Sequence, residues 1–180
     1  MVWLHPGDFS IGESSPSRFG PQLLMEQNVV LVSPNYRLGP MGFLSLGTDE
    51  APGNLGLRDQ NFAIQWVKDE SKHFCGDADK ITVFGSGSGA TSSLMQMITP
   101  KHENRIYGVI AQSGGIVSNP ALLQDEARHG KNAALQLAKD VGCKNSKVSQ
   151  QKVSLVVKVF LIRTPTFFLK RCCCYEFTFD

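Results

Sequence analysis

Ile81-Thr82-Val83-Phe84-Gly85-Ser86-Gly87-Ser88-Gly89-Ala90 passes from an apolar, β-branched run into a turn dense in glycine and out into helix-forming sequence. The outline is that of a nucleophile elbow, in which Gly-x-Ser-x-Gly lets the backbone take a strained turn and lifts a serine hydroxyl above a sheet. Gly85 and Gly89 hold the outer positions, and the middle one is Gly87. Glycine offers no nucleophile for a base to activate. A reading shifted by one residue puts Ser88 at the tip, with Ser86 and Ala90 outside it. The strand feeding the turn sets its phase and favours Gly87 at the tip, leaving the two serines as turn residues suited by size and local hydrogen bonding.

Outward from this stretch the chain alternates strand-like and helix-like segments. Met1 to Leu4 reads as a short buried strand entering the turn His5-Pro6-Gly7-Asp8-Phe9, of a kind that delivers backbone N–H groups to a site. Ser10 to Ser17 is loop, Phe19 to Gln27 a short helix opening near Pro21, and Asn28 to Ser33 a β-branched strand covered on both faces. Leu57 to Phe74 reads as an amphipathic helix with Phe62, Trp66, Val67 and Phe74 inward and Asp59, Lys68, Asp69 and Lys72 outward. After the elbow a helix from about Ala90 to Ile98 stops at Pro100. Tyr107 to Gln112 forms a further strand, and Asp125 to Val141 a second amphipathic helix through Ala127, Ala134, Leu137, Ala138 and Val141, capped by Gly142. The expected fold class is α/β, a mostly parallel sheet with helices on both faces and its ligand site at the carboxyl ends of the strands.

The 180 residues, 42% hydrophobic and 19% charged, suit one globular domain with a real core. The net charge of +2 comes from the end of the chain: residues 1–146 carry 12 Lys and Arg against 14 Asp and Glu, and residues 147–180 carry 6 against 2. The excess is therefore no nucleic-acid surface, and no apolar run is long enough to span a bilayer. No charged-then-apolar leader opens the chain, while Met1 runs straight into core-strand residues; the expectation is a fragment that lacks upstream sequence.

Several co-linear segments together resemble the type-B carboxylesterases: Val2-Trp3-Leu4-His5, Asn35-Tyr36-Arg37-Leu38-Gly39, Gly42-Phe43-Leu44-Ser45, Ala51-Pro52-Gly53-Asn54-Leu55-Gly56-Leu57-Arg58-Asp59-Gln60, Phe84-Gly85 and Gln112-Ser113-Gly114. That family includes cholinesterases, juvenile hormone esterases and neuroligin-like adhesion proteins. The resemblance covers about residues 1–146 and implies part of an α/β-hydrolase fold, with residues 147–180 an unmatched basic tail, non-native or disordered. It places the family's Phe-Gly-Glu-Ser-Ala-Gly on Phe84 to Gly89, so the nucleophile position falls on Gly87 and an oxyanion-hole position on Ser88. The family's His-Gly-Gly-Gly-Phe falls on His5-Pro6-Gly7-Asp8-Phe9, giving Gly7 and Asp8 as the remaining hole positions, with Asp8 bringing a carboxylate to the site. The family's acid and histidine come later in its chains than this sequence reaches, and His5, His73, His102 and His129 read as structural.

The same resemblance pairs Arg37 with Asp59 as an ion pair that organises loops and gives Ser113 hydrogen-bond support near the site. Trp3, Phe9, Trp66 and Phe74 read as core. Cys143 follows the family's Val-Gly-Cys pattern without a partner at the usual spacing, and Cys172, Cys173 and Cys174 lack the second pair a metal site needs. No cofactor or metal is expected. The function implied is a carboxylesterase-like fragment that does not hydrolyse esters and binds a small apolar ester or a protein partner. The alternative is a serine carboxylic ester hydrolase with Ser88 in a shifted elbow. Family members are secreted or anchored outside the cell, and the absent leader leaves the location of this chain open.

Overall fold

The computed structural model describes residues 1–49, 51–100, 105–117, 126–140 and 169–170. Its elements in chain order are β1 (Val2–Leu4), α1 (Gln22–Met25), β2 (Leu31–Val32), α2 (Gly39–Phe43), β3 (Ser45–Thr48), β4 (Ala51–Pro52), α3 (Leu55–Glu70), a 3-10 turn at Ser71–Phe74, β5 (Thr82–Ser86), α4 (Ser88–Ile98), β6 (Gly108–Gln112), α5 (Glu126–Asp140) and β7 (Leu169–Lys170). The main sheet has the order β6-β5-β1-β2-β7. Its first three pairings are parallel, and β7 joins β2 antiparallel. The expected α/β architecture around a mostly parallel sheet is what the chain adopts.

Strand alternation sorts the side chains. Val2, Leu4 and Val83 are fully buried and form one core with Val32, Ile64, Val67 and Ile81, so α3 lies over that face. Trp3 and Phe84, one residue out of phase, meet each other at 4.9 Å between ring centres, and Trp3 also meets Phe19 at 5.3 Å. β2 is shorter than its apolar run suggests. Asn28 turns the chain with φ 54°, and burial begins only at Leu31.

The inward face of α3 differs from the expected one. Gln60, Ala63, Ile64 and Val67 are buried, whereas Phe62 is 73% exposed. Phe62 lies two positions from both Gln60 and Ile64, about 200° around the helix, which turns it away from the core. Buried Gln60 instead binds α4: its amide donates to Ser92 Oγ at 3.1 Å, and Gln96 donates to Gln60 Oε1 at 3.2 Å and to the Leu57 carbonyl at 2.9 Å. Lys68, expected on the solvent face, donates to the Ala78 carbonyl and to Asp79, both at 2.9 Å, and that hydrogen bond holds the Asp79 carboxyl below its usual range.

Arg37 and Asp59 pair as the resemblance implies, Nε and Nη2 reaching the two carboxylate oxygens at 2.7 Å each. Gly56, one turn earlier, lies so close to the Arg37 carbonyl that a Cβ would sit 2.3 Å from its oxygen. α5 buries Ala134 and Ala138 as expected; Ala127, Val141, Gly142, Cys143, Cys172, Cys173, Cys174 and His102 lie outside the residues or side chains described. Among the described residues no helix is long and apolar enough to cross a membrane.

These packings separate two neighbours on α3. Ile64→Ala is expected to lower unfolding stability by about 2–5 kcal/mol, and Phe62→Ser to change it by no more than about 0.5 kcal/mol. Urea unfolding followed by far-ultraviolet circular dichroism measures both.

Candidate functional site

Because β1, β5 and β6 run parallel and side by side, the loops that leave their carboxyl ends meet. The turn between β5 and α4 is centred on Gly87, with φ 55° and ψ −120°. Its flanks are glycine for lack of room. A Cβ at Gly85 would lie 2.4 Å from the Gly89 carbonyl carbon and 2.6 Å from the Leu4 carbonyl oxygen, and one at Gly89 would lie 2.0 Å from that same oxygen. At Gly87 the nearest atom to an added Cβ is Pro6 Cβ, at 3.8 Å. The outer glycines are thus demanded by space, and the central one by conformation alone.

The turn is fastened on two sides. Gly87 N–H donates to the Gln112 carbonyl of β6 at 2.9 Å, and the loop after β6 closes onto it so tightly that a Cβ at Gly114 would lie 2.3 Å from the Gly87 oxygen. From the β1 side, Asp8 N–H donates to Ser88 Oγ at 3.0 Å. Ser88 begins α4 and is 5% exposed. Ser93 Oγ donates to the Gly89 carbonyl at 2.8 Å.

The β1 loop carries unusual backbone. Gly7, Asp8 and Phe9 all have positive φ, at 136°, 52° and 59°. Non-glycine residues there are strained, and such strain persists where surrounding contacts over-determine it. The contacts are visible here. Ser10 and Ile11 N–H both donate to the Gly7 carbonyl at 3.0 Å, and Gly39 N–H donates to the Phe9 carbonyl at 2.6 Å. Tyr36 Oη donates to the His5 carbonyl at 2.7 Å, while its ring stacks on His5 at 4.4 Å and 13°. Ser14 N–H and Oγ both reach Asn35 Oδ1 at 2.9 Å.

His5 is fully buried beneath this loop. Its Nδ1 lies 2.9 Å from the Pro6 carbonyl, which can only accept, so Nδ1 carries the proton. Nε2 is buried with no partner among the described residues. Burial lowers the His5 pKa, the Pro6 hydrogen bond opposing it, and burial likewise raises the Tyr36 phenol. His73 is exposed, 3.8 Å from Glu70 on the 3-10 turn.

The elbow therefore brings together Gly7, Asp8, Gly87 and Ser88 from the residues singled out in the sequence. Asp8 is exposed as a residue, and its N–H is the group that meets Ser88. Ser113 is also exposed, at φ 53°, and makes no hydrogen bond to the described residues. The Ser88 hydroxyl bond was not legible beforehand, since its partners lie 80 residues apart. A cavity of about 440 Å³ between Val30, Trp66, Val67, Phe74 and Ile81 lies at the opposite, amino ends of the strands. Ligands of parallel sheets sit at the carboxyl ends, where the strained loops are.

The profile of the Carboxylesterase family matches residues 1–161. Cholinesterase 2 of Branchiostoma lanceolatum is 42% identical over 144 residues, covering 79% of this chain and 42% of that protein. Bile salt-activated lipase of Mus musculus is 37% identical over 164 residues, 87% of this chain and 27% of the relative. Acetylcholinesterase 4 of Caenorhabditis briggsae is 38% identical over 149 residues, 82% and 24% respectively. The chain thus spans less than half the length of each of these relatives.

Two tests follow from the geometry. Gly89→Ala is expected to destabilise by about 3 kcal/mol or more, because backbone must move, and Gly87→Ala by only about 1–2 kcal/mol of conformational strain; thermal denaturation of both variants ranks them. His5 binds a proton more readily unfolded than folded, so its burial supports stability fully above its ordinary pKa of about 6.5 and loses that support as pH falls below it. Urea midpoints between pH 8 and pH 5 are expected to fall at the acid end for the native chain and to fall less for His5→Asn.

Proposed function

The chain belongs to the carboxylesterase family and carries part of its α/β-hydrolase fold, and from that premise we propose that it is a non-hydrolytic member, a binder of ester-like apolar molecules or of a protein partner. The carrying observation is Gly87 at φ 55° and ψ −120° between β5 and α4. This is where the family's motif puts its nucleophile, and the side chain there is a hydrogen atom. The steric need for glycine at 85 and 89 supports that register. The register with Ser88 at the tip would ask for close backbone approach at Ser86 and Ala90 instead.

Ser88 is a poor nucleophile in this arrangement. Its hydroxyl begins a helix, is buried, and accepts the Asp8 N–H that would otherwise meet the ligand's oxygen. Among the described side chains, His5 spends Nδ1 on Pro6 and His73 lies at Glu70, and neither bonds to Ser88. A serine mechanism needs a base within hydrogen-bond reach of the nucleophile. The relatives' names are those of esterases and a lipase. An ester or a comparable apolar carbonyl compound is accordingly the small ligand of first choice, bound and released intact.

Exposure to a fluorophosphonate followed by peptide mass mapping decides the reading. No adduct at any serine is expected, and no release of p-nitrophenol from p-nitrophenyl butyrate above the buffer rate. An adduct on Ser88 with ester turnover would show a hydrolase working from the shifted position.

A further inference from the structure

His5 is the first residue beyond the last paired position of β1, where Leu4 lies against Gly85 of β5. Its ring is enclosed. The residue is 1% exposed, Tyr36 stacks on the ring at 4.4 Å, and the backbone at Gly12 lies so close that a Cβ there would sit 2.6 Å from Nδ1. Nδ1 donates to the Pro6 carbonyl at 2.9 Å, and Nε2 has no partner among the described residues. A neutral ring leaves one lone pair unmet there. A protonated ring brings a second N–H and a whole charge to a place with no acceptor among the described residues, a far larger loss.

The surroundings offset little of that loss. Burial is the largest influence on the His5 pKa and lowers it; the Pro6 bond and Glu13 act the other way, and Arg18 adds to the lowering. Glu13 and Arg18 are both exposed, so their fields are screened. The Tyr36 phenol, which burial pushes further up, stays protonated and supplies no negative charge, and its ring face attracts a cation only weakly. The chain on either side decides what gives way. Upstream, β1 is paired with β2 and β5. Downstream, Gly7, Asp8, Phe9 and Gly12 hold φ 136°, 52°, 59° and 122°, and the two non-glycines are strained. A strained loop outside the sheet opens before the sheet does.

We infer that His5 is a proton-operated latch on the β1 loop: while neutral it keeps residues 7–12 closed with Asp8 N–H on Ser88 at 3.0 Å, and when Nε2 takes a proton the loop lifts off the elbow while the sheet stays folded. The site beside Gly87 is thus assembled near neutral pH and dismantled in acid. A ring that binds a proton more weakly in the closed loop than in the open one shifts the balance toward opening as pH falls below the ordinary value of about 6.5. The shift is at most about tenfold per pH unit, and it ends where the closed ring itself titrates.

Hydrogen exchange of the full chain between pH 8 and pH 5, corrected for the intrinsic pH dependence of exchange, tests this. The reporters are the N–H groups of Asp8, on Ser88, and of Ser10 and Ile11, on the Gly7 carbonyl, against those of β5. Loop protection is expected to fall about tenfold to thirtyfold by pH 5 while β5 keeps its own within about twofold. His5→Asn, whose amide can still donate to Pro6 and does not ionise, is expected to show no such fall. Arg18→Gln and Glu13→Gln, both on the surface, are expected to move the onset of opening to higher and to lower pH respectively. Loop protection that stays flat to pH 5 would overturn the latch, as would loop and β5 losing protection together. So would the same loss in His5→Asn or, should that variant not fold, an onset that neither surface variant moves.

Discussion

Three backbones meet at one point in this molecule: the end of β1, the end of β5 and the start of α4. The contact at Gly85, Gly89 and the Leu4 carbonyl is too close for any side chain. It fixes how far α4 tips over the sheet and where the loop after Leu4 must pass. That loop then lies across the turn, within reach of Ser88, and the loop after β6 closes the other side through Gln112 and Gly114. A site is formed because chain segments distant in sequence are forced into contact where they have least bulk.

Rigidity in the β1 loop comes from outside it. Tyr36 holds His5 by ring and hydroxyl, Asn35 holds Ser14, and Gly39 holds Phe9, so residues 35–39 act as a splint. The splint is in turn anchored to α3 by the two-pronged Arg37–Asp59 pair and by the close approach of Gly56. Half-exposed as Arg37 is, the pair adds little stability by itself. Its value is geometric, since a bidentate guanidinium fixes orientation as well as distance.

Much of this was readable from the residues because it rests on local rules. Strand and helix alternation, the glycine spacing of the elbow and the small face of α5 all follow from periodicity and from what glycine permits. Phe62 misled because a large apolar residue weighs heavily in any helical face, while the actual face is set by Ala63, Ile64, Val67 and buried Gln60. Gln60, Ser92 and Gln96 were invisible as a unit, for polar residues on two helices declare nothing about each other until the helices pack. The same holds for Asp8 and Ser88. In sequence Asp8 reads as a carboxylate, and nothing in it announces that its amide hydrogen meets the Ser88 hydroxyl.

The turn at Gly87 also bears on how such a chain changes over time. At φ 55° and ψ −120° an L-residue is held under strain that the rest of the fold must absorb, whereas glycine is at ease there. A chain with glycine at that point has shed the tension without disturbing either flank, because the flanks are set by Gly85 and Gly89. Any side chain placed at 87 must be tolerated at a loss of stability before it can be of use. The turn therefore works as a ratchet. Drift toward glycine runs downhill in folding free energy, the way back runs uphill, and the scaffold keeps its shape in either direction.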